Sequence, residues 1–92
     1  MENKKYALNL EKVLFTPLED DGVLYVIDEN KYISLNETYA LIIKYVSAEH
    51  KFQFILEHLI STYDVDREVC KLQLETVLTE LIAKKYILES IV

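Results

Sequence analysis

The spacing of apolar positions changes once between residues 31 and 46. Ile33 and Leu35 alternate with Tyr32 and Ser34, the two-residue period of a half-buried strand. After Asn36 the period becomes helical, with Tyr39, Ile42, Ile43 and Val46 recurring along one face. Asn36 is a favoured N-cap, and Glu37 in the first turn suits the helix dipole. A strand thus hands over to a helix within one residue. That joint is the expected hinge between a small sheet before it and a helical bundle after it.

The rest of the chain follows the same logic. Residues 1–10 carry mixed charge and a weak pattern, which predicts a flexible N-terminal arm preceding one domain over 11–92. Glu11–Thr16 contains Val13, Leu14 and Phe15, a short strand stopped by Pro17. The turn over 18–22 holds the only glycine, Gly22, placed where a positive φ is wanted. Val23–Ile27 is the clearest strand by composition. Asp28-Glu29-Asn30 connects it as a hairpin to the third predicted strand, Lys31–Leu35, and the three form an antiparallel sheet.

Helices are predicted over about 37–47, 51–63 and, behind the N-cap Asp66, to about Lys85. Ile87 and Leu88 then resume an extended apolar pattern. The order is α+β: a three-stranded antiparallel sheet followed by three helices, a winged helix-turn-helix-like arrangement with its wing first.

The third helix is apolar on two sides. At about 100° per residue, Cys70, Leu74, Val77, Leu78 and Leu81 form the core stripe. Val69, Leu72, Thr76 and Ala83, flanked by Gln73 and Glu80, form a second, weaker stripe. Either that stripe packs on the sheet or the C-terminal segment, or it walls an open groove against Lys31–Leu35. In the second case an incoming peptide would add a strand to the edge, and the helix would select its side chains.

Composition narrows the function classes. Ninety-two residues, 51% hydrophobic with seven Tyr and three Phe, describe one folded domain too small for a deep enclosed catalytic cleft. Sixteen acidic against ten basic side chains leave a net charge of -6, which disfavours a phosphate backbone as partner. A single cysteine fits a reducing compartment, and no apolar run approaches about 18 residues. A cytoplasmic, membrane-free protein is expected.

Catalytic and metal chemistry find little footing. His50, His58 and Cys70 lack zinc-ligand spacing, and Cys70 falls in the core stripe. Glu19-Asp20-Asp21 lacks the spacing of a calcium loop and reads as a solvated turn. There is no phosphate-binding glycine loop and no Ser-His-Asp set. No catalytic residue, metal or cofactor is expected. Tyr25 and Tyr32 suit a cross-strand pair, and Tyr32 equally suits a groove lining.

Three segments in order carry a family resemblance: Tyr32-Ile-Ser-Leu-Asn-Glu-Thr-Tyr-Ala, then Ile60-Ser-Thr-Tyr-Asp-Val-Asp, then Val77-Leu-Thr-Glu-Leu-Ile-Ala-Lys-Lys-Tyr-Ile-Leu. Over about residues 12–88 this resembles the PqqD-like family, the recognition elements of ribosomally made, post-translationally modified peptides. The chain departs from the family pattern at Lys84-Lys85-Tyr86, where Arg-Gly is frequent, and at Val77, where an aromatic is usual. The resemblance implies non-catalytic binding of a precursor's leader by strand addition to Lys31–Leu35, the third predicted strand. The docking residues implied are Lys31, Tyr32, Ile33, Ser34 and Leu35. The helix positions Val69, Leu72, Gln73, Thr76 and Glu80, chosen from the helical wheel, form the other wall.

The implied partners are the leader and a modifying enzyme or leader protease. Lys-Tyr before Ile-Ser-Leu-Asn is similar to the free-standing leader-binding proteins of lasso-peptide pathways, and radical-SAM pathways stay open. The alternatives are a winged-helix DNA-binding regulator and a plain structural or dimerisation domain.

Overall fold

A computed structural model describes residues 4–91 of the chain. Residues 1–3 of the expected arm and residue 92 of the expected domain lie outside it. Eight elements follow in order: β1 (Lys4–Leu8), β2 (Val13–Pro17), β3 (Gly22–Val26), β4 (Lys31–Leu35), α1 (Glu37–Ser47), α2 (Phe52–Tyr63), α3 (Arg67–Ala83) and β5 (Ile87–Ile91). β2, β3 and β4 form the expected antiparallel meander, with β3 central. The fold is the α+β arrangement of three strands then three helices, with one addition.

The addition is a second sheet. β1 and β5 pair antiparallel, with Lys4 opposite Ile91 and Leu8 opposite Ile87. Residues 4–8 are therefore a strand and not part of a flexible arm. Its central residue, Tyr6, is only 1% exposed. Five residues gave too little period for the sequence to reveal a strand whose partner lies at the other end of the chain. Asn9 fixes the pairing: its N–H donates to the Tyr86 carbonyl at 3.0 Å and its side-chain amide to the Lys85 carbonyl at 2.9 Å.

The strand-to-helix joint forms as the sequence predicts. Asn36 is extended (φ -73°, ψ 174°), and its side chain accepts the Tyr39 N–H at 2.9 Å. Leu35 is buried on one side of it and Ala40, Ile42, Ile43 and Val46 on the other. At the start of α3, Asp66 caps by accepting the Val69 N–H at 3.1 Å. Val65 before the cap and Cys70 four residues after it sit beside the same hollow, in the manner of a hydrophobic staple. The buried cluster joins β1, β2, β3 and β4 to all three helices and to Tyr86 and Ile87.

Gly22 serves otherwise than expected. Its φ is not positive; it opens β3 opposite Leu35, and a Cβ there would lie 2.7 Å from the Phe15 ring. The glycine permits close packing. Positive φ falls instead on Asn30, Glu49, Asp64 and Lys85, each at a turn or helix end.

Three outcomes follow. Tyr6→Ala should destabilise the domain by about 3–5 kcal/mol in urea unfolding, where a loose arm would show no effect. Asn36→Ala should cost about 1 kcal/mol and lower Tm by about 4–8 °C in calorimetry. Burial, with smaller contributions from Glu89 and Glu75, pushes the Tyr6 phenol up to about 12. The native state then holds this proton where the unfolded chain has lost it, so its contribution to stability is full below pH 10 and is lost as pH rises through 12. Absorbance titration should show one late phenolate step, absent in Tyr6→Phe.

Candidate functional site: an open seam between a strand edge and a helix

β4 has β3 on one side, in the register Gly22–Leu35, Leu24–Ile33 and Val26–Lys31, and no strand on the other among the described residues. In an antiparallel ladder, alternate residues turn both N–H and C=O away from the partner, so β4 offers a row of outward-facing backbone donors and acceptors. The C-terminal strand pairs with β1, in a separate sheet.

α3 lies across from this edge. Its buried stripe is Cys70, Leu74, Leu78 and Leu81, while Val77 is half-buried at the margin. The second stripe is unburied: Leu72 is 65% exposed and Val69 50%. The Thr76 hydroxyl donates to the Leu72 carbonyl at 2.8 Å, which leaves its methyl as the free surface. Of the two readings of that stripe, the open one holds.

Two hollows occupy the seam. The first, of about 280 Å³, runs from Ile33, Ser34 and Leu35 to Glu80, Lys84 and Tyr86. The second, of about 430 Å³, lies between Thr38 on α1 and Leu72, Gln73 and Thr76 on α3. Both are bounded by Asn36 and Tyr39, so they form one trench that passes the strand-to-helix joint. Glu80 and Lys84 pair at 3.5 Å on its rim.

Ile33, Ser34, Leu35, Leu72, Gln73, Thr76 and Glu80 are thus brought together around this trench. Three other expected residues stand apart from it. Lys31 pairs with Glu29 at 3.2 Å at the start of β4. Tyr32 lies on the outer face with its ring 4.8 Å from that of Tyr25, the cross-strand alternative. Val69 lies a turn beyond the lined part of α3. The sequence reading missed Asn36, Thr38, Val77, Lys84 and Tyr86 as lining residues, and gave Tyr39 to the core. Proximity to the hinge was the available signal for Asn36, Thr38 and Tyr39.

Elsewhere, His50 and His58 stack on opposite sides of Phe54 at 3.7 and 3.9 Å between ring centroids, with Tyr45 edge-on. No group of three metal-ligating side chains occurs among the described residues. Cys70 is buried, and burial pushes its thiol up, away from the reactive thiolate. No helix among the described residues is long and apolar enough to cross a membrane.

No curated protein sequence matches the chain. Among solved structures, TbiB1 in complex with the TbiA(beta) leader peptide superposes with a TM-score of 0.79 at 20% identity, covering 88% of this chain and 93% of that one. At that identity the likeness is one of fold. The PqqD family, described as coenzyme PQQ synthesis protein D, matches residues 21–87, from the turn before β3 to the first residue of β5. The span includes β4, α3 and the trench between them, and by it the chain belongs to the PqqD family.

Proposed function

We propose that the protein is a non-catalytic binding module for the leader segment of a ribosomally synthesised precursor peptide. The leader adds as a strand to the free edge of β4 and lies against α3. The observation that carries this reading is the coincidence of two unsatisfied surfaces in one trench. Among the described residues the β4 edge has no second strand, and Leu72 and Thr76 on α3 are exposed. An extended peptide supplies strand and cover at once, its backbone giving affinity and its alternate side chains giving specificity. The leader peptide held by TbiB1, a protein of the same fold, supports the same use here.

Ile33, Ser34 and Leu35 would provide the ladder, Leu72, Gln73 and Thr76 the side-chain wall, and Glu80 with Lys84 a polar rim. Lys31 and Tyr32 would take part through the backbone at the far end of β4, and Val69 would extend the wall. The domain would present the bound precursor to a modifying enzyme or leader protease of a lasso-peptide or radical-SAM type pathway in the cytoplasm. The geometry favours this over the DNA-binding alternative. The exposed side of α3 presents Leu72, Thr76 and Glu80, and a phosphate-tracking surface gains affinity from the cations it places there.

The test is titration of the leader of the precursor encoded beside this gene into isotope-labelled protein. Micromolar or tighter binding is expected, with the largest amide shifts in residues 31–35. Leu72→Glu should weaken binding at least tenfold with Tm unchanged. N-methylation of alternate leader amides should do the same while every side chain is kept. Binding that leaves residues 31–35 unshifted would exclude strand addition.

A further inference from the structure

Asn36 carries one more hydrogen-bonding group than its cap uses. An N–H can give only to an acceptor, so the bond from the Tyr39 N–H at 2.9 Å takes the Asn36 Oδ1 and fixes which way the amide is turned. The Nδ2 group, with two donors, makes no hydrogen bond among the described residues. Asn36 is exposed, and it borders both hollows of the trench.

At the same point β4 runs out of strand backbone. The Asn36 carbonyl is taken by the Ala40 N–H at 2.9 Å, and from Glu37 onward the chain is helical. Outward-facing backbone groups along a strand recur at every second residue, about 6.6 Å apart. An added strand that continues past Leu35 therefore turns its next carbonyl toward a place where no strand backbone is left to meet it.

We infer that the Asn36 Nδ2 donates to that carbonyl. One side chain then closes the first turn of α1 with its oxygen and holds the bound leader with its nitrogen. The inference rests on the leader-binding reading and adds a contact to it. As caps, Asn, Asp and Ser are about equal. Of these, only Asn keeps an NH2 group to spare while its oxygen caps. The cap also makes the contact cheap in entropy, because the Tyr39 bond already fixes the side chain in the empty protein. The ligand is defined further by this. The leader stays extended for at least one residue beyond the segment paired with β4, on the Leu35 side. The group read there is a main-chain carbonyl, so the contact accepts any side chain at that position.

The test reads the side-chain amide directly. When the leader of the neighbouring precursor is titrated into the full labelled chain, one Nδ2 proton of Asn36 should move downfield and exchange more slowly with water. Asn9 is the internal control, because its Nδ2 already donates to the Lys85 carbonyl at 2.9 Å and should not move. Asn36→Asp keeps the cap and removes the donors, so Tm should not fall while leader affinity drops about tenfold. Asn36→Ser caps without adding charge and should weaken the leader about threefold, through its shorter reach. Exchanging leader carbonyls for thiocarbonyls, one position at a time, should find a position just past the strand that matters to the wild-type chain and not to Asn36→Asp.

Shifts in residues 31–35 with the Asn36 amide unmoved would overturn the contact and leave strand addition standing. Leader affinity unchanged in both variants would do the same. If either variant lowers Tm, the amide shift of the wild-type chain decides alone. A leader that fails to bind the wild-type chain would overturn the reading beneath.

Discussion

β5 follows α3 and pairs with β1 in a sheet separate from β4, and that pairing leaves the β4 edge without a second strand among the described residues. The turn at the end of α3 makes the choice. Lys85 takes a left-handed conformation (φ 64°), Tyr86 is buried, and Asn9 accepts neither slack nor alternative by bonding the carbonyls of both. These contacts tie the end of α3 to the end of β1, where the ladder of β5 to Lys4–Leu8 begins. Were β5 paired with β4, the chain would close on itself and α3 would lose its exposed stripe. The site therefore depends on a contact between the chain's two ends, remote from the trench itself.

A second constraint is the one-residue joint at Asn36. An N-cap has extended backbone, so the residue that ends β4 geometrically also begins α1. There is no loop to relax between strand edge and helix. β4, the first turn of α1 and the facing side of α3 line one trench, and Asn36 and Tyr39 lie where its two hollows meet. Pre-formed walls matter for peptide capture, because ordering the partner is the main cost of binding an extended segment. β2, the sheet's other edge, ends in Pro17, which has no N–H to donate to an added strand.

Much of this was legible in the residues. The change of period at Asn36 located the joint, and the double stripe of α3 marked a second apolar side, because both are local regularities; that this side is open was not settled by the sequence. Two things were not legible. Tyr6 belongs to a five-residue strand buried in a core built from residues distant in sequence, so no local period marks it. The lining by Thr38, Lys84 and Tyr86 depends on how α1 and the end of α3 converge, which is a tertiary angle. Tyr32 shows the reverse case: the sequence left it between a cross-strand pair and a groove lining, and its ring lies against that of Tyr25.

The bare edge of β4 has a consequence for the protein without its peptide. An exposed strand border is a template for any extended chain, including another copy of the same domain, and stacking of such borders is how sheet proteins aggregate. Two features hold copies apart. The edge is only five residues long, and every molecule carries a net charge of -6. High salt, which screens that repulsion, should therefore hasten self-association of the empty form, while an occupied edge is immune to it.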